Sequence, residues 1–268
     1  MADPNQILAF DRALMRRHRD RAVPRFADHR VLFDETAALL MERLGDVKRD
    51  FRSVLDLGAH DGLLAQKIVE RHHGLVVAAD LSLPMLLNAP SSAVVADEEF
   101  LPFAPNSFDL VVSNLSLHWV NDLPGALAQI ISALKPEGLF LAALFGGHTL
   151  QELRACLLEA ELSVTGGVSP RVSPSIDLPT ASALLQRAGF ALPVTDQETF
   201  TLTYPDSFAL MRDLRGMGEA NANRERSDRF TRRAVLTEAD RLYRERYAGT
   251  DGRIPASFEI LFLHGWRS

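Results

Sequence analysis

The run Val54-Leu-Asp-Leu-Gly-Ala-His-Asp-Gly62 sets an acid, Asp56, at the end of a short apolar stretch, with glycines at 58 and 62 just before the helix-like residues Leu63 to Arg71. A turn of this kind lets a ligand press against bare backbone beside a helix N-terminus. Two further acids close later apolar runs: Asp80 after Leu75-Val-Val-Ala-Ala79, and Asp97 after Ala93-Val-Val-Ala96. Repeated strand-then-acid endings aim the C-terminal ends of several parallel strands at one ligand that carries hydroxyls and an amino-substituted ring. That description fits a nucleoside.

A dinucleotide needs glycines spaced G-x-G-x-x-G, so that its pyrophosphate can lie on the helix N-terminus. Here Gly58-Ala-His-Asp-Gly62 has His60 at the central position. The Asp56 carboxylate would repel a pyrophosphate but suits the ammonium of a methionine moiety. The details therefore favour S-adenosylmethionine. On this reading Asp56 faces the positive end of the cofactor, Gly58 and Gly62 give close approach, and Asp80 accepts from both ribose hydroxyls. Asp97 accepts from the adenine amino group. Leu81, Glu98 and Asn114, which flank these strand ends, join the expected cofactor set. His60 either touches the methionine moiety or only fills space left by a glycine.

Asn106 to Asp122 carries the next candidates. Phe108 to Ser113 reads as a buried strand, and Asn114 to His118 as the loop at its C-terminal end, which in an open α/β sheet borders the ligand crevice. His118 either positions a substrate or acts as a base there, or fills a wall; it is the one candidate catalytic residue. Trp119 reads as packing against the following helix. Met217-Gly-Glu219 and Asn221 lie further on, in a segment whose loops would carry specificity. There is no metal-ligand spacing, since His72-His73 lacks partner acids at helical offset, and neither a phosphate-binding loop nor a nucleophile elbow is present.

Asp56, Gly58, Asp80, Asp97 and the segment 106–122, taken in order, resemble the class I S-adenosylmethionine-dependent methyltransferases of type 11. Ala96-Asp-Glu-Glu-Phe-Leu-Pro-Phe103, Ser116-Leu-His-Trp-Val-Asn-Asp-Leu-Pro124, Phe145-Gly-Gly-His-Thr-Leu150, Gly216-Met-Gly-Glu219, Ile254-Pro-Ala-Ser-Phe-Glu-Ile260 and Gly265-Trp266 extend the likeness over nearly the whole chain. They resemble the methyltransferase-like assembly factors of respiratory complex I and their bacterial relatives. They are also similar to the methyltransferases that esterify a malonyl carrier protein in biotin synthesis. The resemblance implies an enzyme that uses S-adenosylmethionine on a protein side chain or a carrier-bound acid. The alternative it implies is an assembly factor that binds the cofactor and either hydroxylates an arginine of a complex I subunit or serves as a scaffold. Family members often have Gly-x-Gly where this chain has Gly58-Ala-His60, so a side chain narrows the turn here.

Strands are expected near 52–57, 75–80, 92–96, 108–113 and 138–145, with helices over 62–72, 83–88 and 122–134. This alternation implies a parallel sheet. Helices are also expected over 149–162, capped by Thr149 and stopped at Gly166, and over 179–188, stopped at Gly189. Thr195 to Tyr204 and Ser257 to Leu263 read as two late strands. The resemblance makes the whole a Rossmann-like, doubly wound, mostly parallel seven-stranded sheet with an antiparallel edge. Residues 1–50 would form an N-terminal helical cap, and 51–268 the methyltransferase domain, with a helical insertion at about 205–248 as a lid.

Length and 47% hydrophobic content suit one large core, and a net charge of -6 gives no global case for nucleic acid. One cysteine, Cys156, rules out a disulfide within the chain, and the apolar runs fall short of a membrane span. Nothing at Met1-Ala-Asp-Pro-Asn5 resembles a signal peptide, and Asp3 and Asp11 weigh against a mitochondrial presequence, so a cytoplasmic protein is expected. Residues 12–30 hold seven arginines against Asp20 and Asp28, and Arg224, Arg226, Arg229, Arg232 and Arg233 form a second group. These either bind an acidic protein client, such as a complex I subunit, or an acyl carrier, or are solvated helix faces.

Overall fold

The computed structural model describes residues 8–89 and 92–268; the first seven residues of the expected cap lie outside the described residues. Hydrophobic residues alternate along the central strands and sort to opposite faces of one sheet. Val54, Leu110, Val112, Leu139 and Leu141 face one apolar layer, while Leu55, Leu57, Val111, Phe140 and Ala142 face the other. A sheet buried on both sides needs helices on both sides, and near-continuous apolar strands are the sequence trace of that arrangement.

The strands are β1 (Ser53–Leu57), β2 (Leu75–Asp80), β3 (Ser92–Val95), β4 (Phe108–Asn114), β5 (Leu134–Phe145), β6 (Ala191–Tyr204) and β7 (Ile254–Trp266). Their spatial order is β3-β2-β1-β4-β5-β7-β6. The first five pair in parallel, as in Val54↔Val76 and Val54↔Leu110. β7 runs against both its neighbours, β5 and the edge strand β6. The order reverses between β1 and β4, and the carboxyl ends of those strands are where an open α/β sheet takes its ligand.

The helices are α1 (Arg12–Ala22), α2 (Val31–Gly45), α3 (Leu63–Arg71), α4 (Leu83–Leu86), α5 (Leu123–Ala133), α6 (Gln151–Thr165), α7 (Leu178–Ala188), α8 (Ser207–Gly216) and α9 (Arg233–Tyr247), with a 3-10 stretch at Val23–Asp28. α2 buries Leu32, Phe33, Ala37, Leu40 and Leu44 at helical spacing and forms part of one covering layer with α3, α6 and α9. α5 and α7 cover the opposite face through Leu127, Ile130, Ala181 and Leu185. α8 and α9 lie between β6 and β7, where the insertion is expected.

Some boundaries differ from the sequence reading. β5 starts at Leu134, directly after α5, because Phe108 pairs with Leu134 before the register shifts to Leu110↔Leu139. Thr149 does not cap α6. Its hydroxyl donates to the Glu259 carbonyl at 3.0 Å, and Leu150 precedes the helix at φ 56° with no side-chain cap. Gly166 and Gly189 do end their helices in the left-handed region, at φ 75° and 91°. No described helix is long and apolar enough to cross a membrane.

Candidate functional site

The turn after β1 is drawn tight. Gly58 (φ 70°) and Gly62 (φ 80°) adopt left-handed backbone that glycine reaches without strain, and His60 does so with a side chain, at φ 52°. The Gly58 amide donates to the Ala79 carbonyl at 2.7 Å, which ties the turn to β2. A Cβ on Gly58 would lie 2.0 Å from Ser116 Oγ, so this position requires glycine on steric as well as conformational grounds.

Asp56 is fully buried. One carboxylate oxygen accepts from the Ala65 amide at 2.9 Å, which fastens β1 to the first turn of α3; the other has no partner. Burial pushes this carboxyl up to about 7, with only the Ala65 hydrogen bond acting against it and Asp80 and Asp61 adding to it.

Asp80 is also fully buried. Its Oδ1 accepts from the Ser82 amide at 2.8 Å, and its Oδ2 from the His60 amide at 3.0 Å and from Arg19 Nη1 at 2.7 Å. Asp97 accepts from the Glu99 amide at 3.0 Å and from Arg12 Nη2 at 2.6 Å. Glu98 is 0% exposed and takes Arg12, Arg19 and the Ser116 hydroxyl. Burial alone would raise its carboxyl, but the two guanidinium groups outweigh that and hold it down at about 2. Asp80, Asp97 and Glu98 thus form one acidic cluster, joined by arginines from α1. Leu81 packs nearby against the small cluster of Phe10, Met15 and Trp119.

Two expected cofactor residues point elsewhere. The Asn114 amide bridges to α2, accepting from Thr36 Oγ1 at 2.7 Å and donating to the Phe33 carbonyl at 3.0 Å. The His60 ring stacks on Phe26 with centroids 5.7 Å apart and meets the edge of Phe33 at 4.8 Å. Burial, reinforced by Arg19, lowers its basicity and keeps the ring neutral.

His118 lines a separate cavity of about 340 Å³ whose walls include Phe145, Leu150, Leu214, Glu219 and Phe258. Glu219 Oε2 lies 3.0 Å from His118 Nε2 and accepts from Trp119 Nε1 at 2.9 Å, while its Oε1 has no partner. Burial opposes ionisation of Glu219, but His118 and Arg19 prevail and hold its carboxyl below the usual range. A carboxylate only accepts, so in the neutral imidazole the proton sits on Nε2 and Nδ1 is left as the acceptor. Trp119 does pack, as expected, but on Phe10 (centroids 5.3 Å apart), and its indole N–H is part of the polar contact with Glu219.

Sequence reasoning missed Arg12, Arg19 and Ser116 as members of the site, and treated Arg19 as part of an outward basic face. Arg19 is 1% exposed and turned inward; Arg16, Arg17, Arg21 and Arg25 do face solvent. The spacing of Arg12, Met15, Arg19 and Ala22 is that of a single helix face, and it was the available signal. Among the described residues no group of three or more His, Cys, Asp or Glu is arranged to hold a metal ion.

Comparison with known proteins agrees with this architecture. Residues 55–142, from β1 into β5, match the family model described as "Methyltransferase domain". The mouse (Mus musculus) protein "Arginine-hydroxylase NDUFAF5, mitochondrial" is 42% identical over 98% of this chain and 79% of its own length. The malonyl-[acyl-carrier protein] O-methyltransferase of Halorhodospira halophila is 36% identical over 98% of this chain and 90% of its own. Among solved structures, Haemonchus contortus phosphoethanolamine N-methyltransferase 2 in complex with S-adenosyl-L-methionine superposes with a TM-score of 0.52 at 20% identity, covering 87% of this chain and 52% of that one. The YcgJ protein of Bacillus subtilis superposes with a TM-score of 0.58 at 17% identity, covering 85% of this chain and 97% of that one.

Proposed function

The chain belongs to the S-adenosylmethionine-dependent methyltransferase family, and from that premise we propose that it transfers the cofactor's methyl group to an acceptor carried by a protein side chain or an acyl carrier. The observation that carries this reading is that one short loop joins the buried acidic cluster to the cavity. Ser116 reaches the acidic cluster through Arg19 and Glu98, and His118, two residues on, lines the cavity with Glu219.

The acceptors on the β1, β2 and β3 ends suit the cofactor. Asp80 has the carboxylate for paired ribose hydroxyls, Asp97 and Glu98 would accept from an amino-substituted ring, and Asp56, just before the glycine turn, has a buried oxygen without a partner. When bound, S-adenosylmethionine supplies a methyl group already activated by a sulfonium, so alignment and exclusion of water are the protein's main tasks. Phe145, Leu150 and Phe258 supply the apolar wall, and His118, held by Glu219, is the wall residue that would orient the acceptor; its Nδ1 is buried without a partner, so taking the acceptor's proton would require the ring to turn. Residues 8–45 and 205–248 act as the lid: Phe10 pairs with Asn223, and the Asp11 amide donates to the Ala222 carbonyl at 2.8 Å.

Two acceptors compete. Arg215 and Arg226 beside the cavity suit a carrier-bound acid. The 42% identity to a protein named for arginine hydroxylation favours the second reading, an assembly factor that binds S-adenosylmethionine and acts on a complex I subunit. Either role is compatible with a cytoplasmic protein. Mass spectrometry of candidate clients and carriers, from cells with and without the protein, separates them. A gain of one methyl supports transfer, and a gain of one oxygen supports hydroxylation. An unchanged client that is still bound tightly supports a scaffold.

A further inference from the structure

The inward face of α1 lies directly on the acids that the proposed function gives to the cofactor. Arg19 Nη1 is 2.7 Å from Asp80 Oδ2 and 3.4 Å from Glu98 Oε1, and its Nη2 donates to Ser116 Oγ at 2.7 Å. Arg12, two turns earlier on the same face, reaches Asp97 at 2.6 Å and also Glu98. A carboxylate oxygen has two lone pairs, and Asp80 Oδ2 gives one to the His60 amide and the other to Arg19. Oδ1, which accepts from the Ser82 amide, has one lone pair left, so the second of two paired ribose hydroxyls would need the acceptor that Arg19 holds. The bare α-carbon of Gly58, meanwhile, faces Ser116, which Arg19 and Glu98 keep in place.

The fit of the arginines is incomplete. Arg19 is buried and Arg12 largely so, yet neither Nε has a hydrogen-bond acceptor; the carboxylate beside that of Arg12, Glu99, is 3.9 Å away. A guanidinium donates through a rigid fork, and a permanent buried pair holds best when its donors and the remaining lone pairs are all satisfied. The helix is also fastened to the insertion, since His18 Nδ1 lies 3.1 Å from the Ala220 carbonyl and a Cβ on Gly218 would lie 3.4 Å from the Arg19 α-carbon. Movement of Arg19 would therefore be felt next to Glu219, which holds His118 and Trp119.

We propose that α1 is an internal plug: Arg19, assisted by Arg12, occupies the cofactor acids and must withdraw from Asp80 and Ser116 when S-adenosylmethionine binds. This rests on the cofactor reading above and adds its regulation. Closed and open forms are in equilibrium, so the apparent affinity is the intrinsic affinity scaled by the open fraction.

Calorimetric titration with S-adenosylhomocysteine tests the plug on full-length wild type, Arg19→Gln and Asp80→Asn, with hydrogen exchange of residues 12–22 followed in the wild type. The plug requires Arg19→Gln to bind roughly tenfold more tightly or better, and exchange in α1 to quicken when the ligand saturates the wild type. Equal or weaker binding by a folded Arg19→Gln overturns it. If the wild type still binds and Asp80→Asn does not, the cofactor reading survives that outcome. Absence of binding by both wild type and Arg19→Gln at millimolar ligand removes the cofactor reading and the plug together. Should Arg19→Gln not fold, the wild-type exchange decides: faster exchange supports the plug, and unchanged or slower exchange overturns it.

Discussion

Replacing Asp56 by Asn should flatten the pH dependence of stability on the basic side of pH 4. In the folded protein burial raises this carboxyl from 3.8 to about 7, so the native state holds a proton that the unfolded chain has released. The folded value lies above the unfolded one. Its contribution to stability is therefore fully present below pH 3.8 and is lost as pH rises through about 7. A shift of roughly three units corresponds to about 4 kcal/mol across that window. Asn keeps an acceptor for the Ala65 amide and has no charge to bury, although its NH2 inherits the site of the unpartnered oxygen, at about 1–3 kcal/mol. The variant should be the less stable protein at pH 4.5 and should draw level with or overtake the wild type by pH 8. Glu98 does not interfere, because its depressed carboxyl contributes above its ordinary value of 4.5 and loses that contribution only as pH falls towards about 2. Urea unfolding of both proteins at pH 4.5, 6 and 8 provides the comparison. A wild-type-minus-variant difference that stays constant with pH would refute the argument.

Other perturbations separate structural roles from functional ones. Asn114→Leu should cost about 1–3 kcal/mol in urea unfolding, because Thr36 and Phe33 of α2 lose buried partners, while cofactor affinity in calorimetry stays unchanged. Charge reversal at the exposed Arg16, Arg17 and Arg21 should slow client association and flatten its salt dependence in stopped-flow mixing, and leave cofactor affinity alone.

The sheet was legible because the parallel strands carry apolar runs such as Val76 to Ala79 and Leu110 to Val112, and because Gly, Pro and Asp mark the turns. The parallel order and both late strands follow from those local signals. The acids at 56, 80 and 97 were legible because each stands at or just beside the end of an apolar run: Asp80 closes β2, Asp56 is next to last in β1, and Asp97 lies two residues past β3. What could not be read locally was how their charges are balanced. Arg19 meets Asp80 from 61 residues away, and Arg12 meets Glu98 from 86 away. A run of arginines on a helix reads as solvated until a buried acid is known to face it. Asn114 illustrates the converse. Its place at the end of β4 suggested the ligand crevice, yet α2 packs close enough to take both ends of its amide. Glu219 lies 101 residues from His118, and only the folding of the insertion back onto the β4 loop makes them a pair.

Calorimetric titration of S-adenosylmethionine into the wild type and into Asp80→Ala tests the cofactor assignment most directly. Each hydrogen bond to a charged acceptor contributes about 1.5–3 kcal/mol, so losing the Asp80 carboxylate should weaken binding by roughly tenfold or more. A wild type that binds, and a folded variant that binds at least that much less tightly, is the predicted result. A wild type that gives no heat at millimolar cofactor, or a variant that binds as well as the wild type, would contradict the assignment of the β-strand ends to the cofactor.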